Sequence, residues 1–310
     1  MTKGVVKKTP INNTAKKTPK REPKAGKVSG LPTKPRPKNL DLADYIVLIY
    51  GRAGIGKTTA MASWPGTLFF SAERISKALE VYDYNWENGG ITSWRVLTQG
   101  VKDLKGSDRF GTVAIDTVDV AYQYCLEHVC KRKGITHPGD LKDYGKTWGE
   151  IRDEFTKAIR DIIDTGRGVV LSSHEKDEVI KSFSDAEFSR IRPTAPNQAY
   201  GVLKQITDFI VYVEYIRDKN GDTKRVMFTE GNDLFDAKNP HKLPPILTFP
   251  EPPGSVYEVL SRALNGDKSD AINPADIQPA RDANSDFSAE LINKAHTTRK
   301  EKGKAKRKEK

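Results

Sequence analysis

The chain has 310 residues, with 52 Lys+Arg against 41 Asp+Glu and a formal net charge of +11. That length allows one sizeable globular unit with tails or two small ones, and the charge raises nucleic acid or an anionic membrane surface as a partner. No apolar run approaches the roughly 20 residues of a membrane-spanning helix, and no apolar stretch follows the Lys-rich start as a secretory signal requires. The two cysteines, Cys125 and Cys130, are spaced for neither a zinc knuckle nor a redox pair. They read as reduced, partly buried helix residues of a cytoplasmic protein, with a zinc site completed by His128 or His137 as the alternative.

The excess charge sits at the ends. Residues 1–40 carry twelve Lys/Arg and one acid, Glu22, which equals the whole surplus, while residues 41–266 are slightly acidic at −3 and residues 267–310 return to +3. Segment 1–40 mixes Lys, Pro, Thr and Gly with few large apolar residues, so it is expected to be a disordered basic tail. A linker and basic tail over 267–310 leave a globular core over 41–266.

Within that core, strand and helix signals alternate. Tyr45–Tyr50 (YIVLIY) is a β-branched run followed by a Gly-rich turn and the helical TTAMASW. TLFFSAE and TVAID are the second and third apolar runs, a long helical stretch follows, and the amphipathic IRDEFTKAIRDIIDTG leads into GVVLSSHE. Continuous apolar strands separated by helices predict an α/β fold whose mostly parallel sheet is covered on both faces. DFIVYVEYIRDKNGDTKRVMFTEG, with Asn220-Gly221 between two β-rich segments, predicts a late β-hairpin.

Gly51 to Thr58 reads G-R-A-G-I-G-K-T and matches G-x-x-x-x-G-K-[ST] between a strand and a helix. Gly51, Arg52, Ala53, Gly54, Ile55, Gly56, Lys57, Thr58 and Thr59 are therefore candidates for binding ATP. Glycines let backbone N–H groups turn toward phosphate oxygens at a helix N-terminus. Lys57 would reach the β/γ-phosphates, and the Thr58 hydroxyl would hold Mg²⁺. Asp116, ending the TVAID strand, is the second candidate for Mg²⁺, and Asp119 reads as a helix N-cap. Many P-loop ATPases place the water-activating Glu directly after such an Asp, but here Thr117 stands there. Glu73, at the end of TLFFSAE, is the alternative base, or a surface acid at a strand terminus. His174, in LSSHE, is placed to touch the γ-phosphate and report hydrolysis to the segment after it, or is a structural histidine.

The succession G-x4-G-K-T, LFFSAE, TVAID, VVLSSH and the late KNP resembles the RecA-like ATPase core. More narrowly, residues 45–250 are similar to phage-encoded RecA-like P-loop proteins of the AAA type, among them the Sak-four group of single-strand annealing recombinases. The resemblance implies a RecA-like P-loop NTPase core, Glu73 as the water-activating residue, ATP hydrolysis, single-stranded DNA binding, and a role in phage recombination within the bacterial cytoplasm. RecA carries Gln where this chain has His174, whereas the short phage proteins carry His, and RecA's N-terminal oligomerisation helix has no counterpart in residues 1–40. Lys238, in AKNP, lies where the family has a basic residue that reaches a neighbouring subunit's γ-phosphate. The implied partners are single-stranded DNA, further copies of the chain and a single-strand DNA-binding protein, with no membrane.

Two segments mix cations and aromatics as single-strand binding requires. One offers Lys131, Arg132, Lys133, Tyr144, Lys146 and Trp148, and the other, directly after His174, offers Lys181, Phe183, Phe188, Arg190 and Arg192. The bland reading is core rings and a solvated charged face. A helicase loader or other P-loop DNA motor, and a small-molecule kinase, are the competing functions. The missing Glu after Asp116 counts against the common motor, and the absence of an arginine-rich lid counts against the kinase.

Overall fold

Each apolar run is a strand, and its near-continuous hydrophobicity follows from coverage on both faces. The computed structural model describes residues 31, 34–181, 187–251 and 254–279. In chain order these form β1 (Ile46–Tyr50), α1 (Lys57–Ala62), β2 (Thr67–Ser71), β3 (Tyr82–Asp83), α2 (Trp94–Lys105), β4 (Thr112–Asp116), α3 (Val118–Lys133), α4 (Lys146–Ile163), β5 (Gly168–Ser173), β6 (Glu175–Lys181) and β7 (Glu187–Pro193). There follow α5 (Asn197–Ile206), β8 (Phe209–Asp218), β9 (Thr223–Phe228), β10 (Ile246–Thr248), α6 (Val256–Leu264) and β11 (Ile277–Pro279). Most of the two basic tails lies outside the described residues.

The main sheet has nine strands in the order β10-β9-β8-β1-β5-β4-β2-β3, with β11 added on β8. Six neighbours from β8 to β3 run parallel, and β1 is central, with Val47 opposite Val170 on one side and Phe209 on the other. β4 is separated from β1 by β5. Strand alternation sends Leu48 and Tyr50 into a core beneath α2, α3, α4 and α5, and sends Val47 and Ile49 into a second core beneath α1 and α6. Tyr122 and Phe155, fully buried, lock α3 to α4 edge-to-face with ring centroids 5.1 Å apart. The result is a three-layer RecA-like P-loop NTPase fold.

The hairpin around Asn220-Gly221 is present as β8–β9, with Gly221 at φ 86°. Both cysteines are free, buried thiols of α3.

Two readings change, and one segment with no assigned structure gains one. The segment after His174 is an antiparallel ribbon, β6–β7, paired from Glu175–Pro193 to Lys181–Glu187. The linker expected from residue 267 onward first completes the fold: Asn273 caps a 3-10 turn and Ile277–Pro279 pairs with β8, because Ile277 has an apolar site to fill. Thr117, not Asp119, occupies the N-cap position of α3.

Candidate active site

Parallel strands bring their carboxyl ends to one edge, where ligands of open α/β sheets bind. β1 runs into the 51–56 loop, β2 is followed closely by Glu73, β4 ends on Asp116, and β5 is followed by His174. The Asp116 carbonyl accepts from the N–H groups of Ala72 (2.7 Å) and Glu73 (3.1 Å), which fixes Glu73 beside Asp116.

The loop needs its glycines where the backbone is crowded or left-handed. A Cβ at Gly51 would lie 2.6 Å from the Val213 carbonyl oxygen, and Gly56, at φ 100°, caps α1 in a region that side chains disfavour. Two arginines tie the loop to β8 and β9, one from the loop and one from β9. The Arg52 guanidinium pairs with the buried Glu214 carboxylate, which also accepts from Tyr212 Oη at 2.8 Å. Arg225 donates to the Ile55 carbonyl at 3.1 Å, while it lies 4.5 Å over the Phe249 ring and pairs with Glu251.

Inside this frame the charged groups form one connected network. Lys57, 6% exposed, donates from Nζ to the carbonyls of Gly51 (2.9 Å) and Arg52 (3.0 Å), and lies 3.4 Å from His174 Nδ1. Burial pulls its ammonium below the ordinary lysine value, against the opposing pull of Asp116, Asp119 and Glu73. An ammonium only donates, so His174 Nδ1 is assigned as the acceptor and the proton belongs on Nε2. Nε2 faces both Glu73 oxygens at 3.1 Å, and Thr117 Oγ1 donates to Glu73 at 3.2 Å. Asp116 accepts from Thr58 Oγ1 at 2.6 Å and from Ser172 Oγ at 2.5 Å.

These residues fit a magnesium nucleotide. The Thr58 hydroxyl and Asp116 carboxylate already touch and are the hard oxygen donors Mg²⁺ takes. Beside them Asp119 Oδ1 is buried without a hydrogen-bond partner, and burial pushes that carboxyl above its ordinary value despite a bond from Thr117. Thr59 is exposed in the first turn of α1, the end at which helix N–H groups are free for an anion.

The cations proposed for DNA divide into two sets. Arg132 is bonded to Glu150 (2.6 Å) and Glu154 (2.8 Å), and Lys133 to Glu150 (2.7 Å), across the α3–α4 contact. Arg190 pairs with the buried Asp236, and Arg192 with Glu178 and Asn197. These four carry carboxylate partners, so each would have to exchange or share that partner to reach a phosphate. Lys131 and Lys146 are exposed and form no ion pair among the described residues, and Tyr144 is fully exposed between α3 and α4. Lys181 lies in β6, its side chain outside what is described, and Phe183 lies outside the described residues. Lys238 Nζ caps the carboxyl end of α5 through the carbonyls of Lys204 (3.0 Å) and Thr207 (2.5 Å), and so is not brought to the loop of its own chain.

Thr117, Ser172, Glu214 and Arg225 belong to the site although sequence reasoning assigned none of them a place in it. The serine pair in VVLSS and the lone acid in VYVEY were signals, because a polar group inside a buried strand requires a partner.

Fold and edge together define a P-loop ATPase. A family model described as an AAA domain matches residues 43–241, and the chain belongs to that family. The fold is also similar to the crystal structure of a KaiC-like protein from the hyperthermophilic archaeon Pyrococcus horikoshii OT3, at 15% identity and a TM-score of 0.34, over 67% of this chain and 90% of that one. No curated protein matches the chain. Among the described residues no helix is long and apolar enough to cross a membrane.

Proposed function

We propose that this ATPase is stimulated by single-stranded DNA and acts in recombination or strand annealing, in a phage-encoded setting and as an assembly of several copies. The observation that carries the reading is the position of His174. Its ring bridges Lys57 and Glu73, and its carbonyl accepts from Thr194 N at 2.8 Å, closing the base of the β6–β7 ribbon. A change at the γ-phosphate would therefore be felt at the root of a projecting ribbon.

In this reading the loop N–H groups and Lys57 hold the phosphates, and Thr58 and Asp116 hold Mg²⁺, which neutralises charge on the phosphate oxygens when bound. Glu73 orients the attacking water, and its carboxylate is held in place by Thr117 and His174. DNA contacts fall to Lys131, Lys146 and Tyr144, cations without acidic partners among the described residues and a fully exposed ring, the residue types that track phosphates and stack bases. ATP turnover measured with and without single-stranded DNA tests the proposal. Stimulation supports it, while turnover indifferent to DNA and raised by a small phosphate acceptor would assign a kinase instead.

A further inference from the structure

At the β3 edge of the sheet lies a groove of about 410 Å³ that the ATPase site does not use. Its walls are aromatic: Tyr82 is 54% exposed, Trp86 is 68% exposed, and Tyr84 and Phe110 are half-buried beside them. The only charged residues lining it are Asp83 and Asp103. Asp103 accepts from Tyr84 Oη at 2.6 Å and from Gln99 at 2.8 Å, and those bonds hold its carboxyl below the ordinary value. Arg109, outside the lining, lies 4.7 Å over the Tyr82 ring and 5.4 Å over the Phe110 ring, so these rings already take a guanidinium on one face. Exposed rings flanked by carboxylates disfavour a polyanion and suit the opposite ligand, an extended proline-rich segment carrying cations, because rings accept the prolines of a polyproline II backbone.

We propose that this groove holds the chain's own amino-terminal arm, through residues 16–24, KKTPKREPK. That stretch has two prolines, five Lys/Arg and one acid. Charge complementarity is built into the chain, since residues 1–40 carry +11 and the core over 41–266 carries −3. The proline-rich residues 34–38 are not the occupant, because they are exposed in the structure.

Reach is sufficient. The arm leaves the fold at Asn39, whose carbonyl accepts from Tyr45 Oη at 2.6 Å just before β1. β1 and β3 are four strand spacings apart, about 19 Å. Phe110, just before β4, places one end of the groove near the amino ends of the strands, the side from which the arm departs. The 15 residue steps from Lys24 to Asn39 extend about 46 Å as polyproline II, more than twice that span. An arm so docked withholds its lysines from any phosphate ligand until that ligand competes for them.

The test places a bimane dye on Lys20→Cys in the full-length chain. Cys125 and Cys130 are 0% and 3% exposed and leave the introduced thiol as the reactive one. Tryptophan quenches bimane on contact, so emission should be low in this protein and rise severalfold on Trp86→Ala, a change at an exposed side chain that spares the core. Replacing Pro19 and Pro23 by Gly in the arm should give the same rise without touching the folded part. Quenching that is independent of protein concentration, and weakened by salt, supports docking within one chain. Emission unchanged by both sets of substitutions would overturn the proposal, as would quenching that grows with protein concentration, which would assign the contact to a second copy. No nucleotide or DNA is present in the experiment, so its outcome is independent of the ATPase reading.

Discussion

At the scale of single residues, the site depends on a few side chains held by one another. Lys57 is buried in the field of four carboxylates, Asp116, Asp119, Glu73 and Glu175, and bonded to two loop carbonyls, and it must leave those carbonyls to reach a phosphate. Lys57→Ala removes the loop's only ammonium and should abolish ATP binding in a fluorescent-nucleotide titration. Glu73→Gln keeps the size and the bond from Thr117 but removes the charge that orients water. It should bind ATP as the parent does and turn over about 10²-fold or more slowly, the loss typical of a removed general base. Parental turnover in the Gln variant would move the base elsewhere. Asp119 shows why residue-level reading of a sequence stops short. An acid after a strand end suggests a cap, but only the fold reveals that its carboxyl is buried beside the Thr58–Asp116 pair with one oxygen unpartnered.

At the scale of elements, what was legible in the sequence is what local chemistry dictates. The phosphate loop was legible because few residue types tolerate its backbone, and the strands were legible because burial on both faces leaves no polar alternation. The fate of the arginines was not. Arg190 finds Asp236 46 positions away, and Arg132 finds Glu150 18 positions away, so which cations of a basic stretch carry carboxylate partners depends on residues far along the chain. The ribbon β6–β7 was likewise hidden, since EKDEVIK and EFSRIRP are rich in charge and no Asn-Gly or Asp-Gly stands between them as it does in β8–β9. The α3–α4 contact that carries Arg132, Lys133 and the exposed Tyr144 rests on Phe155, fully buried between Trp94 and Tyr122. Phe155→Ala should cost about 3–5 kcal/mol, the transfer free energy of the ring plus the cavity it leaves. A denaturant titration that loses under 1 kcal/mol would show that the helices close over the gap.

At the scale of the whole molecule, the charge separation between ends and core decides how a polyanion is met. A core of −3 does not attract DNA at long range, whereas an arm whose own charge equals the surplus of the whole chain does. The division has a structural limit at its inner end. Asn39 is tied to Tyr45 and Asp44, and the Leu40 carbonyl accepts from Asn265 at 3.2 Å, so those two residues belong to the fold. A truncation that removes residues 1–30 takes away nine Lys/Arg and leaves these bonds intact. Each arm cation that touches a phosphate contributes about −0.7 to the slope of log K against log[salt] on single strands. The truncated protein should therefore bind single-stranded DNA more weakly at low salt and with a shallower slope, while ATP turnover without DNA stays at the parental rate. The loss should shrink as salt rises, since the arm acts through counterion release and the core contacts remain. Equal slopes for the two proteins would show that the arm touches no phosphate and that all binding resides on the folded surface.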